Sequence, residues 1–169
     1  MLGLTGCSMA SLAGASDVIC CDIAPERFSK AREFGASHVA SPRVVEAIIS
    51  DITKGYGVDV LLEVSGSTDA LEQALPLMRL GGTAVLAGAV FPSRTMQLDP
   101  ERIVRRNLTI RGVHNYSPRN LAAALDFLAT AAPRFPLASL VSTWLPLSSA
   151  QDAFEAARNG HTYRVGIRP

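Results

Sequence analysis

Short apolar runs rich in β-branched residues alternate with longer helical segments from the start of this chain to about residue 131. DVICCD (17–22), VDVLLEVSG (58–66) and TAVLAGA (83–89) have the composition of strands, and each follows a segment with helical spacing. Such alternation is typical of βαβ units, in which helices join parallel strands. The first two runs are continuously apolar at their centres, so we expect those strands to be buried on both faces. The pattern predicts an α/β fold with a doubly wound parallel sheet.

Three helical segments carry recognisable ends. Residues 2–13 are small and apolar on all sides, as expected of a helix packed tightly on a sheet, and Gly14 follows them. The next helix has Pro25 in its first turn and ends at Gly35. STDALEQALPLMRLGG (67–82) begins with a Ser/Thr/Asp cap and closes on paired glycines. We therefore predict a helix over most of this third segment.

The alternation stops near residue 132. RFPLASLVSTWLP (134–146) contains two prolines and has no clear period, and a helical segment and the strand-like TYRVGIR (162–168) follow it. We therefore predict two parts, a sheet domain over residues 1–131 and a separate structural layer over residues 132–169.

Composition and charge exclude several classes of function. The 169 residues include 16 basic and 15 acidic side chains that are scattered along the chain, so nucleic acid is not an expected partner. The three cysteines form neither a disulfide framework nor a metal motif, which favours a reducing, cytoplasmic setting. No apolar run has the length and continuity of a membrane span, so we expect no membrane association.

Asp22 closes the first strand and is the leading candidate for a ligand contact. Gly3 lies 19 residues before it, which is the spacing between the last glycine of a dinucleotide-binding turn and the acidic residue that binds the adenosine ribose. A carboxylate there accepts hydrogen bonds from both ribose hydroxyls. It would also repel a 2′-phosphate by up to about 4 kcal/mol at about 4 Å and intermediate dielectric, which favours NAD over NADP. The alternatives are that Asp22 is an ordinary turn residue and that Gly3 only allows close packing.

Glycines also mark the ends of other strands. In a doubly wound sheet, ligands bind beyond the carboxyl ends of the strands, where strand order reverses. The ends at 64–66, 87–89 and 112–115 would let a flat ring lie close to the backbone, although each alone could be an ordinary turn. His114 is the one histidine near this crevice, and we assign no catalytic residue.

Over nearly its whole length the chain resembles the C-terminal part of medium-chain, zinc-type alcohol dehydrogenases. Within that family, DPERIVRRNLTIRGVHNYSPRNL (99–121) is similar to the subtype associated with phosphonate catabolism. The segments that carry the family resemblance occur in the family's order and spacing: MLGL (1–4), VICCDIAPERFSKAREFGASHV (18–39), GVDVLLEVSGSTDALEQALPLMRLGGTAVLAG (57–88), LTIRGVHNY (108–116) and LPLSSAQDAFEAARNGHTYRVGIRP (145–169).

The resemblance implies a Rossmann-type NAD-binding domain and a set of cofactor contacts. Asp22 and Arg27 would bind the adenosine ribose, with Ile23 beside the adenine. Arg164 would contact the pyrophosphate from the closing strand. The remaining contacts would come from strand ends, on the adenosine side from Val64 and Ser65 and on the nicotinamide side from Ala87, Gly88, Ala89, Val113 and Asn115. Leu2 and Gly3 complete the set of candidate site residues.

The family also has parts that this sequence does not show. Its first, central strand carries the two leading glycines, and its catalytic domain carries the zinc ligands. We therefore expect a fragment that is inactive alone, with residues 132–169 returning to that catalytic domain. The complete enzyme would act on a small alcohol or aldehyde and would dimerise through the edge strand Leu108 to His114.

Two other interpretations remain open. The chain could be a non-catalytic nucleotide-binding or structural module that a partner completes. It could also be a methyltransferase with a similar sheet and an acidic ribose ligand, although the closing segment and the all-parallel pattern argue against that class.

Overall fold

The computed structural model describes residues 1–159 and 162–169. The helices are α1 (Leu2–Leu12), α2 (Phe28–Glu33), α3 (Val45–Thr53), α4 (Thr68–Ala74), α5 (Pro100–Arg106), α6 (Pro118–Ala131) and α7 (Ala150–Arg158). The strands are β1 (Ile19–Cys21), β2 (His38–Ala40), β3 (Val58–Glu63), β4 (Met78–Leu86), β5 (Thr109–Gly112), β6 (Val141–Pro146) and β7 (Arg164–Arg168).

All strand pairs of the described residues are parallel. β1 pairs with β2, β3 to β5 form a three-stranded sheet in the order β3-β4-β5, and β6 pairs with β7. Helices lie between successive strands along the chain, as the alternating pattern predicted. The α/β fold is confirmed.

Helix α1 packs against two sheets, the β1-β2 pair and the β3-β4-β5 sheet. Its small residues allow this close packing. A Cβ atom added at Gly6 would lie 2.8 Å from Leu62 Cδ2 of β3, and one added at Gly3 would lie 3.6 Å from Val64 Cγ2. On the side of the other sheet, the Ser8 hydroxyl is fully buried and donates to the Phe34 carbonyl at 3.0 Å. The glycines and small side chains therefore let one helix pack closely on both sheets.

Two apolar clusters hold the fold together. The first lies among α1, β1 and α2 and includes Leu4, Val18 and Phe34. Leu140, from the segment that follows residue 131, is buried in this same cluster. The second cluster lies between α4 and the three-stranded sheet and is centred on Met78. The predicted closing layer thus has its own strand pair and also contributes to the first core.

The prediction that the first strands are buried on both faces is wrong. Val60 and Leu62 of β3 are 64% and 43% exposed, and Cys21 of β1 is also exposed. Each of these strands belongs to a sheet of only two or three strands. Among the described residues, the cover on that face of β3 is α1, which reaches Leu62 and leaves Val60 open.

The predicted helix over residues 67–82 is wrong in its second half. α4 ends at Ala74, and the following residues lead into β4, which begins at Met78. Pro76 has no N–H to continue a helical ladder. The register between β3 and β4 shifts where Val58 faces Met78 but Val60 faces Thr83, and the paired glycines lie in this irregular stretch. The paired glycines therefore lie in a strand bulge and do not end a helix.

Within the described part of the chain, no helix has both the length and the apolar character needed to cross a membrane.

Candidate functional site

Asp22 follows β1 directly and is held by its neighbours. Its N–H donates to the Ala40 carbonyl at 3.1 Å, which continues the pairing with β2. Its Oδ1 accepts a hydrogen bond from the Ala24 N–H at 3.0 Å, and its Oδ2 lies 3.5 Å from Arg27 Nη1. The bond to Ala24 is one that an ordinary turn residue makes, so Asp22 does act as a turn residue. The carboxylate nevertheless stays partly exposed, and Ile23 beside it is 83% exposed.

The start of α1 lies in the same neighbourhood as two arginines. Arg164 Nε lies 3.1 Å from Met1 Sδ, although 163 residues separate them. The charges of Arg27 and Arg164 both act at the Met1 nitrogen, where α1 begins. The positive end of the helix dipole and two guanidinium groups thus converge at one place, which suits an anion such as a pyrophosphate.

Glu63 organises the loops after β3 and β4. Its main-chain carbonyl accepts hydrogen bonds from the N–H groups of Ala87 and Gly88 at 2.9 and 3.0 Å. Its Oε1 accepts from the Ser65 N–H at 2.6 Å, the Ser65 hydroxyl at 2.7 Å and the Gly66 N–H at 2.7 Å. The sequence analysis did not identify Glu63 as a functional residue. The feature that could have identified it is an acidic residue at the end of a strand that was predicted to be buried.

The two loops touch backbone to backbone at a pair of glycines. A Cβ atom added at Gly88 would lie 2.5 Å from the Gly66 nitrogen and from the Val64 carbonyl carbon. At Gly66, where φ is +75°, an added Cβ atom would lie 2.7 Å from the Gly88 carbonyl oxygen. Since real Cβ atoms do not approach backbone atoms so closely, both positions require glycine.

The end of β5 lies beside the end of β4. The Val113 N–H donates to the Leu86 carbonyl at 2.9 Å, and the Val113 side chain is 44% exposed. Asn115 adopts a left-handed conformation with φ of +57°. The carboxyl ends of β3, β4 and β5 therefore form one edge with an exposed surface.

The candidate residues thus form two groups that α1 connects. Gly3 belongs to the first group and faces Val64 of the second. The first group surrounds the start of α1 and the end of β1 and consists of Leu2, Gly3, Asp22, Ile23, Arg27 and Arg164. The second lies at the ends of β3, β4 and β5 and consists of Val64, Ser65, Ala87, Gly88, Ala89, Val113 and Asn115.

Arg94 links the loop after β4 to helix α4 by ion pairs. Arg94 bonds to the carboxylates of Asp69 and Glu72, with distances of 2.9 and 2.7 Å to the two Glu72 oxygens. The Gln97 N–H adds a bond of 2.7 Å to Glu72. The Arg94 guanidinium and this N–H lower the pKa of Glu72 from 4.5 to about 2.

This ion cluster predicts a pH dependence of unfolding. Because the pKa of Glu72 is lower in the folded state, its stabilisation is complete above pH 4.5 and is lost as the pH falls towards 2. Glu72→Gln should therefore have a lower unfolding temperature than the unsubstituted protein at pH 7. The difference between the two proteins should shrink between pH 4.5 and 2 in thermal unfolding scans, and a difference that stays constant over that range would contradict the assignment.

Among the residues that the structure describes, no group of three or more His, Cys, Asp or Glu side chains is placed to hold a metal ion.

Comparison with known proteins gives consistent matches. Residues 2–130 match the family model described as zinc-binding dehydrogenase. A sorbitol dehydrogenase from Bacillus subtilis is 31% identical over 159 residues, which cover 92% of this chain and 44% of that enzyme.

Two solved structures show the same architecture. An alcohol dehydrogenase from Thermotoga maritima superimposes with a TM-score of 0.92 at 29% identity, over 99% of this chain and 47% of that one. A zinc-binding dehydrogenase from Sinorhizobium meliloti, bound to NADP, has a TM-score of 0.77 at 28% identity, over 90% of this chain and 45% of that one. The chain thus spans a little less than half the length of these relatives.

Proposed function

This chain belongs to the zinc-binding dehydrogenase family, and from that membership we propose that it forms the cofactor-binding portion of a zinc-type, NAD-dependent alcohol dehydrogenase. The observation that carries the proposal is the convergence of the two groups of candidate residues on α1. One group combines a carboxylate, two guanidinium groups and a helix start, and the other presents the ends of three parallel strands next to a close glycine contact. These are the features that a dinucleotide with a charged centre and two flat rings requires.

Each group has a defined role in this proposal. The start of α1 and Arg164 would hold the pyrophosphate, and Asp22 would accept hydrogen bonds from the ribose hydroxyls. Val64 and Ser65 would flank the adenosine half, and the loop at Ala87 to Ala89 would place the nicotinamide ring through backbone groups. A bound nicotinamide would supply the acceptor for a hydride from the alcohol carbon, and this chain would contribute the orientation of the ring.

Asp22 supports NAD rather than NADP as the cofactor. Its carboxylate would lie where the 2′-phosphate of NADP must lie, and burial of two charges of the same sign at one place is unfavourable. The Arg27 guanidinium lies 3.5 Å from Asp22 Oδ2 and offsets part of the negative charge of Asp22. The Sinorhizobium relative is bound to NADP, and we propose that Asp22 gives this chain the opposite preference.

The remaining parts of the enzyme follow from the same proposal. Residues 1–131 would be the NAD-binding domain, and residues 132–169 would be the segment that returns to the catalytic domain. Zinc would be bound in that catalytic domain, together with the small alcohol or aldehyde. β5 is an edge strand of its sheet, and we propose that a second copy pairs along Leu108 to His114. The similarity to the phosphonate-associated subtype stays a prediction.

Titration with NADH and activity assays together test the proposal. The nicotinamide fluorescence of NADH should rise to saturation as the protein that carries this chain is added, and NADPH should bind more weakly. With zinc present, the same protein should reduce NAD with at least one of a panel of primary and secondary alcohols. Absence of NADH binding would refute the proposal. Binding without activity on any alcohol would favour the non-catalytic nucleotide-binding module.

A further inference from the structure

Glu63 is an unusual residue for the end of a strand. It is a carboxylic acid at the end of β3 with only 6% of its surface exposed. Its Oε1 accepts three hydrogen bonds of 2.6 to 2.7 Å from Ser65 and Gly66. Its Oε2 is buried and has no hydrogen-bond partner among the described residues. Since a buried polar atom without a partner is unfavourable and uncommon, its presence requires an explanation.

The three bonds to Oε1 fix the turn that follows β3. Two of the donors are backbone N–H groups of consecutive residues, Ser65 and Gly66, and the third is the Ser65 hydroxyl. The same hydroxyl also accepts from the Ser67 N–H at 3.1 Å. The carboxylate therefore determines the path of the chain between β3 and α4.

The main chain of Glu63 fixes the neighbouring loop as well. Its carbonyl accepts from both Ala87 and Gly88, and Gly88 packs against the backbone of Gly66. A shift of the turn after β3 must therefore displace the loop after β4. One residue therefore bonds to both loops.

We propose that Glu63 is a positioning residue of the cofactor site, which holds the Ser65 turn and the loop at Ala87 to Ala89 at a fixed separation and favours the oxidised cofactor through its buried negative charge. This inference rests on the proposed function, because these two loops are the proposed adenosine and nicotinamide contacts. The nicotinamide ring is positively charged only in NAD⁺. Glu63 bonds to the loop of the proposed nicotinamide contacts through its main-chain carbonyl, so its buried carboxylate belongs to a residue next to that loop and would stabilise bound NAD⁺ more than bound NADH.

Two substitutions separate the geometric role from the electrostatic role. Glu63→Ala removes the acceptor for three hydrogen bonds, so the dissociation constants for both NAD⁺ and NADH should rise at least about tenfold. Glu63→Gln keeps a carbonyl acceptor but removes the charge. It should weaken NAD⁺ about tenfold and NADH only about threefold. AMP lacks the nicotinamide half, so both substitutions should weaken it less than they weaken NAD⁺.

The measurements are made by calorimetric titration of the protein that carries this chain, with unfolding temperatures recorded for each variant. Glu46→Gln removes an exposed acid from the first turn of α3 and is the matched control, with unchanged affinities expected. If Glu63→Ala does not fold, Glu63→Gln alone decides, because the ratio of its NAD⁺ and NADH affinities is independent of the amount of folded protein.

Two kinds of negative result are distinguishable. If the unsubstituted protein does not bind NADH, the proposed function fails and this inference fails with it. If the unsubstituted protein binds NADH but Glu63→Gln weakens NAD⁺, NADH and AMP by the same factor, or weakens none of them, only the role of Glu63 is overturned.

Discussion

Gly88→Ala is expected to lower the stability of the folded protein by about 3 kcal/mol, at the upper end of the range for overpacking, and to raise the dissociation constant for NADH about 100-fold. The new methyl group would lie 2.5 Å from the Gly66 nitrogen and 2.7 Å from the Ser65 nitrogen. All of the nearest atoms are backbone atoms of residues 64–66, so no side chain could move aside. The loops must therefore separate, which breaks the contact on which the nicotinamide side of the proposed site depends.

Gly112→Ala is the matched control for this substitution. Gly112 ends β5 at the same edge of the sheet, and a Cβ atom there would meet nothing within 4 Å. Chemical denaturation should give Gly112→Ala a free energy of unfolding close to that of the unsubstituted protein. If Gly88→Ala were equally stable and bound NADH normally, the close packing of the two loops would be refuted.

Asp22→Ala is expected to reverse the cofactor preference. The substitution removes the charge that repels a 2′-phosphate and releases Arg27, which lies 3.5 Å from the carboxylate, to pair with that phosphate. The full Coulomb energy is reduced by solvent because Asp22 is partly exposed. We therefore expect the ratio of the dissociation constants for NADPH and NADH to fall about 100-fold.

Asp17→Ala provides the comparison for this prediction. Asp17 is an exposed acid that precedes β1, at the opposite end of the strand from Asp22, and it pairs with His38 at 2.9 Å. Its removal changes the net charge of the protein by the same amount and should leave the NADPH to NADH ratio unchanged. Equal ratios for Asp17→Ala and Asp22→Ala would show that no local charge effect operates at Asp22.

The sequence predicted the parts of the fold that depend on local pattern. The alternation of helices and parallel strands is confirmed, because hydrophobic periodicity and helix ends are local properties. Asp22 could be proposed as a candidate ribose contact because one helix and one strand separate it from Gly3, and that separation can be read as a spacing; its role stays a prediction. The boundary between α4 and β4 was wrong because a proline and a strand bulge, rather than the paired glycines, determine where the helix ends.

Contacts between distant segments explain what sequence reasoning missed. The role of Glu63 depends on a turn and on a loop more than twenty residues further along the chain, and the meeting of Gly66 with Gly88 depends on the register of β3 and β4. The proximity of Arg164 to the start of α1 joins the two ends of the chain and entered only through the family resemblance. The exposure of Val60 reflects the limited cover on its face of β3, where α1 reaches Leu62 but not Val60.

Hydrogen–deuterium exchange with and without saturating NADH tests most directly whether a dinucleotide binds along the start of α1 and the carboxyl ends of β3, β4 and β5. NADH should slow exchange in peptides that contain residues 1–5, 22–27, 63–66, 87–89 and 113–115, and should leave α3 (Val45–Thr53) unchanged. Protection of both the start of α1 and the loop at 87–89 by one ligand is the predicted result, because the proposed cofactor reaches both groups of residues. No protection, or protection confined to other segments, would contradict the account.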